Sequence, residues 1–347
     1  MAVRQPVGRK GVCRGEFRAG PAAGDVRMSS YLLCLPHSPI LMCYAKEPPE
    51  HEAIQAVYAE QAARVRAFDP ELVILFGTDH YSGFHLDRMP ATCIGLSCRA
   101  VNDIGGFPGQ FDVPHTEALA LIDHLRAAGF DPGVSHTMTV DHGFSQPAHR
   151  ILGALDAYPV IPVFINVMVP PLQRFSRSRR FGQAIGSAPA LEGKRVLLMG
   201  SGGMSHHPTR YFPMIGEGSD EVTRWQLAGE RGGTFTEAEW LERLRVMHLE
   251  GAQMLVDGSR TREDICLNPE FDRFFLDVLT NGNLDSFDAW RPEDVMAEAG
   301  VGSLELHTWI AAAAAHAEAG GGRPQTAVYA DTLEYGIGFG MVSGAPA

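Results

Sequence analysis

Leu72-Val-Ile-Leu-Phe76 is an unbroken apolar run of strand length, and Gly77-Thr78-Asp79-His80 ends it. A run this short, with no polar interruption, suits a central strand of a parallel sheet buried on both faces. The residues just past its C-terminal end then lie where open α/β sheets bind ligands. The pattern recurs along the chain. Tyr31-Leu-Leu-Cys-Leu35 leads into Pro36-His37-Ser38-Pro39, and Arg195-Val-Leu-Leu-Met199 opens into Gly200-Ser-Gly-Gly-Met-Ser-His206. Residues 91–96 and 134–140 read as further strands, the second followed by Asp141-His142, and Val160-Ile-Pro-Val-Phe-Ile165 is another buried run.

Helical patterns alternate with these strands. Residues 51–68 place Ile54, Val57, Tyr58, Ala62 and Val65 on one face. Residues 115–128 form a second helix with Gly129 as its stop, a short helix is expected after Pro147, and 172–187 form a basic helix with a solvated face. The alternation predicts an α/β fold, a single domain with a largely parallel mixed sheet flanked by helices. A helical elaboration with acidic faces is expected over 217–300, and a helix over 303–319. The domain is expected to span 28–340, with 1–27 as a disordered or mis-started leader and 341–347 as a tail.

Charge and cysteine usage narrow the partners. A formal net charge of -12 argues against nucleic acid or an anionic membrane surface. No apolar run reaches the roughly 20 residues of a spanning helix. Residues 1–27 are rich in Arg and Gly and lack the apolar core of a secretory signal. The 6 cysteines form no C-x-x-C pair and suit a reducing cytoplasm better than a disulfide framework or a thiolate zinc site.

His37, His80, His142 and His206 all follow expected strand ends. One histidine in a Pro-rich turn can be there for packing alone, but a set at corresponding places is a chemical signal. Histidine is the commonest metal ligand and the usual acid–base group near neutral pH. Two histidines and one carboxylate leave open positions on a metal, which suits non-haem Fe(II) oxygen chemistry and equally a catalytic zinc with bound water. Residue types and spacing leave both open. The glycine-rich turn before His206 lacks the Lys-Ser/Thr ending of a phosphate-binding loop, whereas glycine lets a backbone approach a ligand closely. Glu305 and Trp309 stand at i and i+4 and share a face, although a first-turn glutamate can simply complement the helix dipole. Asp79 and Asp141 can orient their neighbouring histidines or serve the turns.

Leu35-Pro-His-Ser-Pro39, Thr78-Asp-His-Tyr-Ser-Gly83, Val140-Asp-His-Gly-Phe144 and Gly200-Ser-Gly-Gly-Met-Ser-His206 resemble, in this order, the motifs of the class III extradiol ring-cleavage dioxygenases. Phe164-Ile-Asn166 and Leu267-Asn-Pro269 add secondary matches, and the resemblance runs over about 28–340. It is nearest to the members that act on 2,3-dihydroxyphenylpropionate. The resemblance implies Fe(2+) held by His37, His80 and Glu305, with Glu298 as the competing carboxylate. It implies His142 as proton donor and His206 as proton acceptor, and leaves His207 a supporting neighbour. The implied reaction is O2-dependent cleavage of a small catechol, 2,3-dihydroxyphenylpropionate or its cinnamate analogue, by a cytoplasmic homo-oligomer of bacterial aromatic catabolism. The sequence departs from those members over 85–113, a segment that contains Arg88 and is expected to border the substrate pocket. An aminophenol, gallate or biphenyl-diol substrate therefore stays open, as does a zinc hydrolase or a metal-binding protein on the same scaffold. Retention of both His142 and His206 favours the enzyme, because a binding module needs no acid–base pair.

Overall fold

The computed structural model describes residues 28–207 and 217–347, so the expected leader at 1–27 lies outside the described residues. The strands are β1 (Ser29–Leu35), β2 (Leu72–Gly77), β3 (Thr92–Gly95), β4 (Cys98–Ala100), β5 (Gly109–Phe111), β6 (Gly133–Ser135), β7 (Met138–Val140), β8 (Val160–Ile165), β9 (Arg195–Ser201), β10 (Gln325–Thr332) and β11 (Ile337–Gly344). One 8-stranded sheet has the order β10-β11-β1-β9-β2-β8-β3-β6. Its centre, β1, β9, β2 and β8, is parallel, and β11 and β3 join antiparallel on either side.

Every residue of β2 and β8 is buried, because helices cover both sheet faces. Leu32, Ile74, Ile161 and Leu198 point to one layer, packed under the helices His115–Ala127, Phe175–Gly186 and Leu306–Glu318. Leu33, Val73, Leu75 and Leu197 alternate to the other, under His51–Phe68 and His142–Leu152. The parallel register sets Leu35 opposite Ser201 and Phe76 opposite Gly200. The C-terminal ends of β1, β2 and β9 therefore lie side by side and release their following loops into one place.

Four expectations change. The strand over 134–140 is two strands: β6 pairs with β3 in the large sheet, while β7 pairs with β4 in a separate sheet of order β5-β4-β7. The helix expected after Pro147 begins at His142, because the Asp141 side chain accepts from Gly143 N and caps it. Glu305 ends a 3₁₀ turn, Val301–Glu305, rather than lying in the first turn of Leu306–Glu318. β11 continues to Gly344, with every residue buried, into the stretch expected as a tail. The helices Asp220–Ala228, Glu237–Asp257, Pro269–Thr280 and Pro292–Ala299 make up the expected elaboration. No helix among the described residues is long and apolar enough to cross a membrane.

Candidate active site

His37 follows β1 and is 2% exposed. Its Nδ1 lies 2.8 Å from Ser201 Oγ at the end of β9. Ser201 has its hydrogen committed elsewhere, for a local reason. Pro147 lies inside the helix His142–Leu152, and a proline has no N–H for the carbonyl four residues back. That carbonyl is Gly143 O, and Ser201 Oγ donates to it. Ser201 can then only accept from His37, so His37 carries its proton on Nδ1 and presents a bare Nε2.

The same logic holds around the cavity. His80 Nδ1 donates to Asp141 Oδ2 at 3.1 Å, and His142 Nδ1 donates to Asp103 Oδ2. His206 Nδ1 donates to Met204 O at 2.9 Å, and His248 Nδ1 to Leu244 O at 2.8 Å. Carbonyls and ionised carboxylates accept only, so each ring, while neutral, carries its proton on Nδ1 and presents Nε2 as the acceptor. All five histidines line one cavity, together with Glu305.

Glu305 is 4% exposed. Its Oε1 lies 3.1 Å from His37 Nε2 and 3.4 Å from His80 Nε2, and Oε2 accepts from Gly203 N. With both rings neutral, two nitrogen lone pairs and a carboxylate oxygen would face one another in a dry setting. Such a convergence of acceptors requires positive charge between them. Burial raises the Glu305 carboxyl, but His37 and His80 outweigh it and hold the group well below the usual carboxylate range. Burial lowers His80, yet Asp141 and Glu305 outweigh it and raise this histidine well above its ordinary value. Burial dominates at His37 and His206, which are lowered, and pushes His142 down to about 4 and His248 to about 3.

The donor set fits a metal ion. His37, His80 and His142 bring nitrogens close enough to hold one, as do the ligand atoms of Asp103, Asp141 and His142. The rings of His37 and His80 are inclined at 71°, whereas those of His80 and His142 are stacked, 4.5 Å apart and inclined at 15°. Two glycines give this cluster its room. A Cβ on Gly202 would fall 2.6 Å from Glu305 Cβ, and one on Gly302 would fall 2.1 Å from His206 Nε2. Trp309, four residues after Glu305, donates from Nε1 to Gly202 O at 3.0 Å and fastens the glycine turn to the glutamate's own element.

The structure brings His37, His80, His142, His206 and Glu305 together and puts His207 in the same wall. Glu298 is exposed. Asp141 serves His80 rather than its neighbour His142, and Asp79 is a turn residue, its Oδ2 accepting from Ser82 N, Gly83 N and Phe84 N. The segment 85–113 does not line this cavity. Arg88 is exposed, and His85 packs edge-on against Trp225 in a separate groove. The segment reaches the site through Asp103, against His142 Nδ1, and through Gly105, which packs on Pro39. Sequence reasoning missed Asp103, Ser201, His248 and Arg260. Only His248 carried a signal, since it stands in the buried stripe of Leu244, Met247, Gly251 and Leu255.

Residues 31–340 match the family model described as the catalytic LigB subunit of aromatic ring-opening dioxygenase. The 2,3-dihydroxyphenylpropionate/2,3-dihydroxicinnamic acid 1,2-dioxygenase of Escherichia coli O139:H28 is 38% identical over 316 residues, 91% of this chain and 98% of that protein. The protein of the same description from Escherichia coli K12 matches to the same extent. The crystal structure of an uncharacterized protein from Escherichia coli K12 matches with a TM-score of 0.44 and 13% identity, covering 91% of this chain and 99% of that one, a likeness too slight to argue from. A family match across nearly the whole described domain, and a dioxygenase relative matched over 98% of its own length, agree with a histidine–carboxylate cavity built at the strand ends: the chain belongs to the LigB family of extradiol, aromatic ring-opening dioxygenases.

Proposed function

We propose that this enzyme opens the ring of 2,3-dihydroxyphenylpropionate or 2,3-dihydroxycinnamate with O2, using Fe(II) held by His37, His80 and Glu305. The observation that carries the reading is the convergence of His37 Nε2 and His80 Nε2 on Glu305 Oε1, with both Nδ1 protons already committed. Ring geometry supports this set over one that includes both His80 and His142. An imidazole holds an ion in its own plane, so two ligands need planes that cross at the ion. The planes of His37 and His80 cross, while the stacked rings of His80 and His142 run nearly parallel. The substrate follows from the named activity of the Escherichia coli relatives.

When bound, Fe(II) supplies open positions for both catechol oxygens and for O2, and the electron path between them. The protein supplies proton handling. His206 Nε2 accepts a proton from a catechol hydroxyl. His142 Nε2 is likewise a bare acceptor, so His142 takes its proton from the bound diol and returns it as the proton donor when the O–O bond breaks. Asp103, against His142 Nδ1, stabilises the imidazolium in between. Ile40, Met168, Leu244 and Val301 form the apolar wall that keeps water from competing.

Product analysis with 18O2 tests this reading. The expected product is a ring-opened dienoate heavier than the substrate by one O2, cleaved beside the diol, with label in the new carboxylate. A product with two new carboxylates, from cleavage between the hydroxyls, or no incorporation, would refute it.

A further inference from the structure

Arg260 is 4% exposed, yet it lines the cavity that holds His206 and Glu305. Among the described residues it is the one Lys or Arg in that wall. The chain fixes it firmly. The helix Glu237–Asp257 stops at Gly258, whose φ of 79° turns the backbone, and Arg260 N then bonds back to Met254 O at 3.0 Å. Its Nη2 donates to His207 O at 3.1 Å, tying the guanidinium to the residue beside His206. Burial lowers Arg260 below the ordinary arginine value, and Asp264, which opposes this, is itself exposed to water. A guanidinium has five N–H donors in a planar fork that suits a carboxylate. Because it lines the cavity, Arg260 can place such donors on a carboxylate delivered there.

The cavity therefore offers three chemistries in one enclosure: the histidine–glutamate cluster, the apolar surfaces of Ile40, Leu244 and Val301, and one buried cation. A ligand with a diol, an aromatic body and a terminal carboxylate matches all three. We propose that Arg260 binds the carboxylate of the substrate's side chain and sets the selectivity of the enzyme for acid-bearing catechols. This rests on the ring-cleavage reading above. With a net charge of -12, attraction of an anion has to be local, and Arg88, the other candidate cation, is exposed outside the cavity.

The test compares Fe(II)-loaded wild type with Arg260→Gln and Arg260→Lys, each on 2,3-dihydroxyphenylpropionate and on uncharged 3-propylcatechol. The ratio of the two kcat/KM values is expected to fall about ten- to a hundredfold in Arg260→Gln, mainly through KM of the acid. Arg260→Lys keeps the charge without the fork and should fall less. If Arg260→Gln does not fold, the Lys variant is read by the same ratio. An unchanged ratio, or an equal loss on both substrates, overturns the proposal. Calorimetric binding of 3-phenylpropionate, which has the acid but no diol, separates the two readings. Arg260-dependent binding by a protein that cleaves neither catechol would retain the carboxylate site and reject ring cleavage. Binding that is the same in wild type and variant would reject the carboxylate site alone.

Discussion

Asp141 hydrogen-bonds to His80, 61 residues away, rather than to His142 beside it: its Oδ2 accepts from His80 N at 2.6 Å and from His80 Nδ1 at 3.1 Å. Its other oxygen caps the helix His142–Leu152 at Gly143 N. One carboxylate thus sets the tautomer of a proposed metal ligand and the start of the helix that carries the proposed proton donor.

Asp141→Asn should weaken metal binding about 10- to 100-fold, because an amide oxygen cannot hold the His80 proton as a carboxylate does. Competition against a chelator measures this. Unchanged affinity would mean that His80 is oriented by its backbone alone.

His142→Ala and His206→Ala are expected to keep stoichiometric iron and to lose turnover about 10²–10⁴-fold. Metal analysis beside kcat distinguishes this from ligand loss, and a metal-free variant would turn that histidine into a ligand. Gly302→Ala should resemble His206→Ala, since its Cβ would fall 2.1 Å from His206 Nε2.

The stability of the fold should carry a signature from Asp272. Burial pushes its carboxyl from 3.8 up to about 6, against the donors Ser205 N, Ser205 Oγ and Tyr329 OH. A raised acid favours the folded state while protonated, so its contribution is full below 3.8 and is lost as pH rises through about 6. Relative to Asp272→Asn, the wild type should lose about 3 kcal/mol across that window. Urea unfolding of both proteins through the window measures it. A flat difference would show that the three donors keep Asp272 ionised.

The histidines were legible because a buried apolar run ended by a polar turn is a local pattern, and parallel strands bring such turns together. Their partners were not. Asp103 reaches His142 across 39 residues and Ser201 reaches His37 across 164, contacts that only the sheet register creates. The two Asp-His pairs look alike in sequence, yet Asp79 folds its own turn while Asp141 crosses to the other pair's histidine. Glu305 and Glu298 both neighbour the last large helix, and burial alone separates them. The split between β6 and β7 escaped notice because each has 3 residues and sheet membership depends on β3 and β4. The Gly- and Pro-rich composition of 101–113 marks a loop but not the side it faces.

His37→Ala, His80→Ala and Glu305→Ala should each lose iron and activity and remain folded by circular dichroism. Full occupancy in Glu305→Ala would move the carboxylate role elsewhere and favour the cluster of His37, His80 and His142.

The most direct measurement is O2 uptake by metal-free protein reloaded with Fe(II) or with Zn(II), with 2,3-dihydroxyphenylpropionate as substrate. The account predicts one O2 consumed per catechol with Fe(II) and none with Zn(II). An Fe(II)-loaded protein that consumes no O2, or a Zn(II)-loaded one that turns the substrate over, would contradict it.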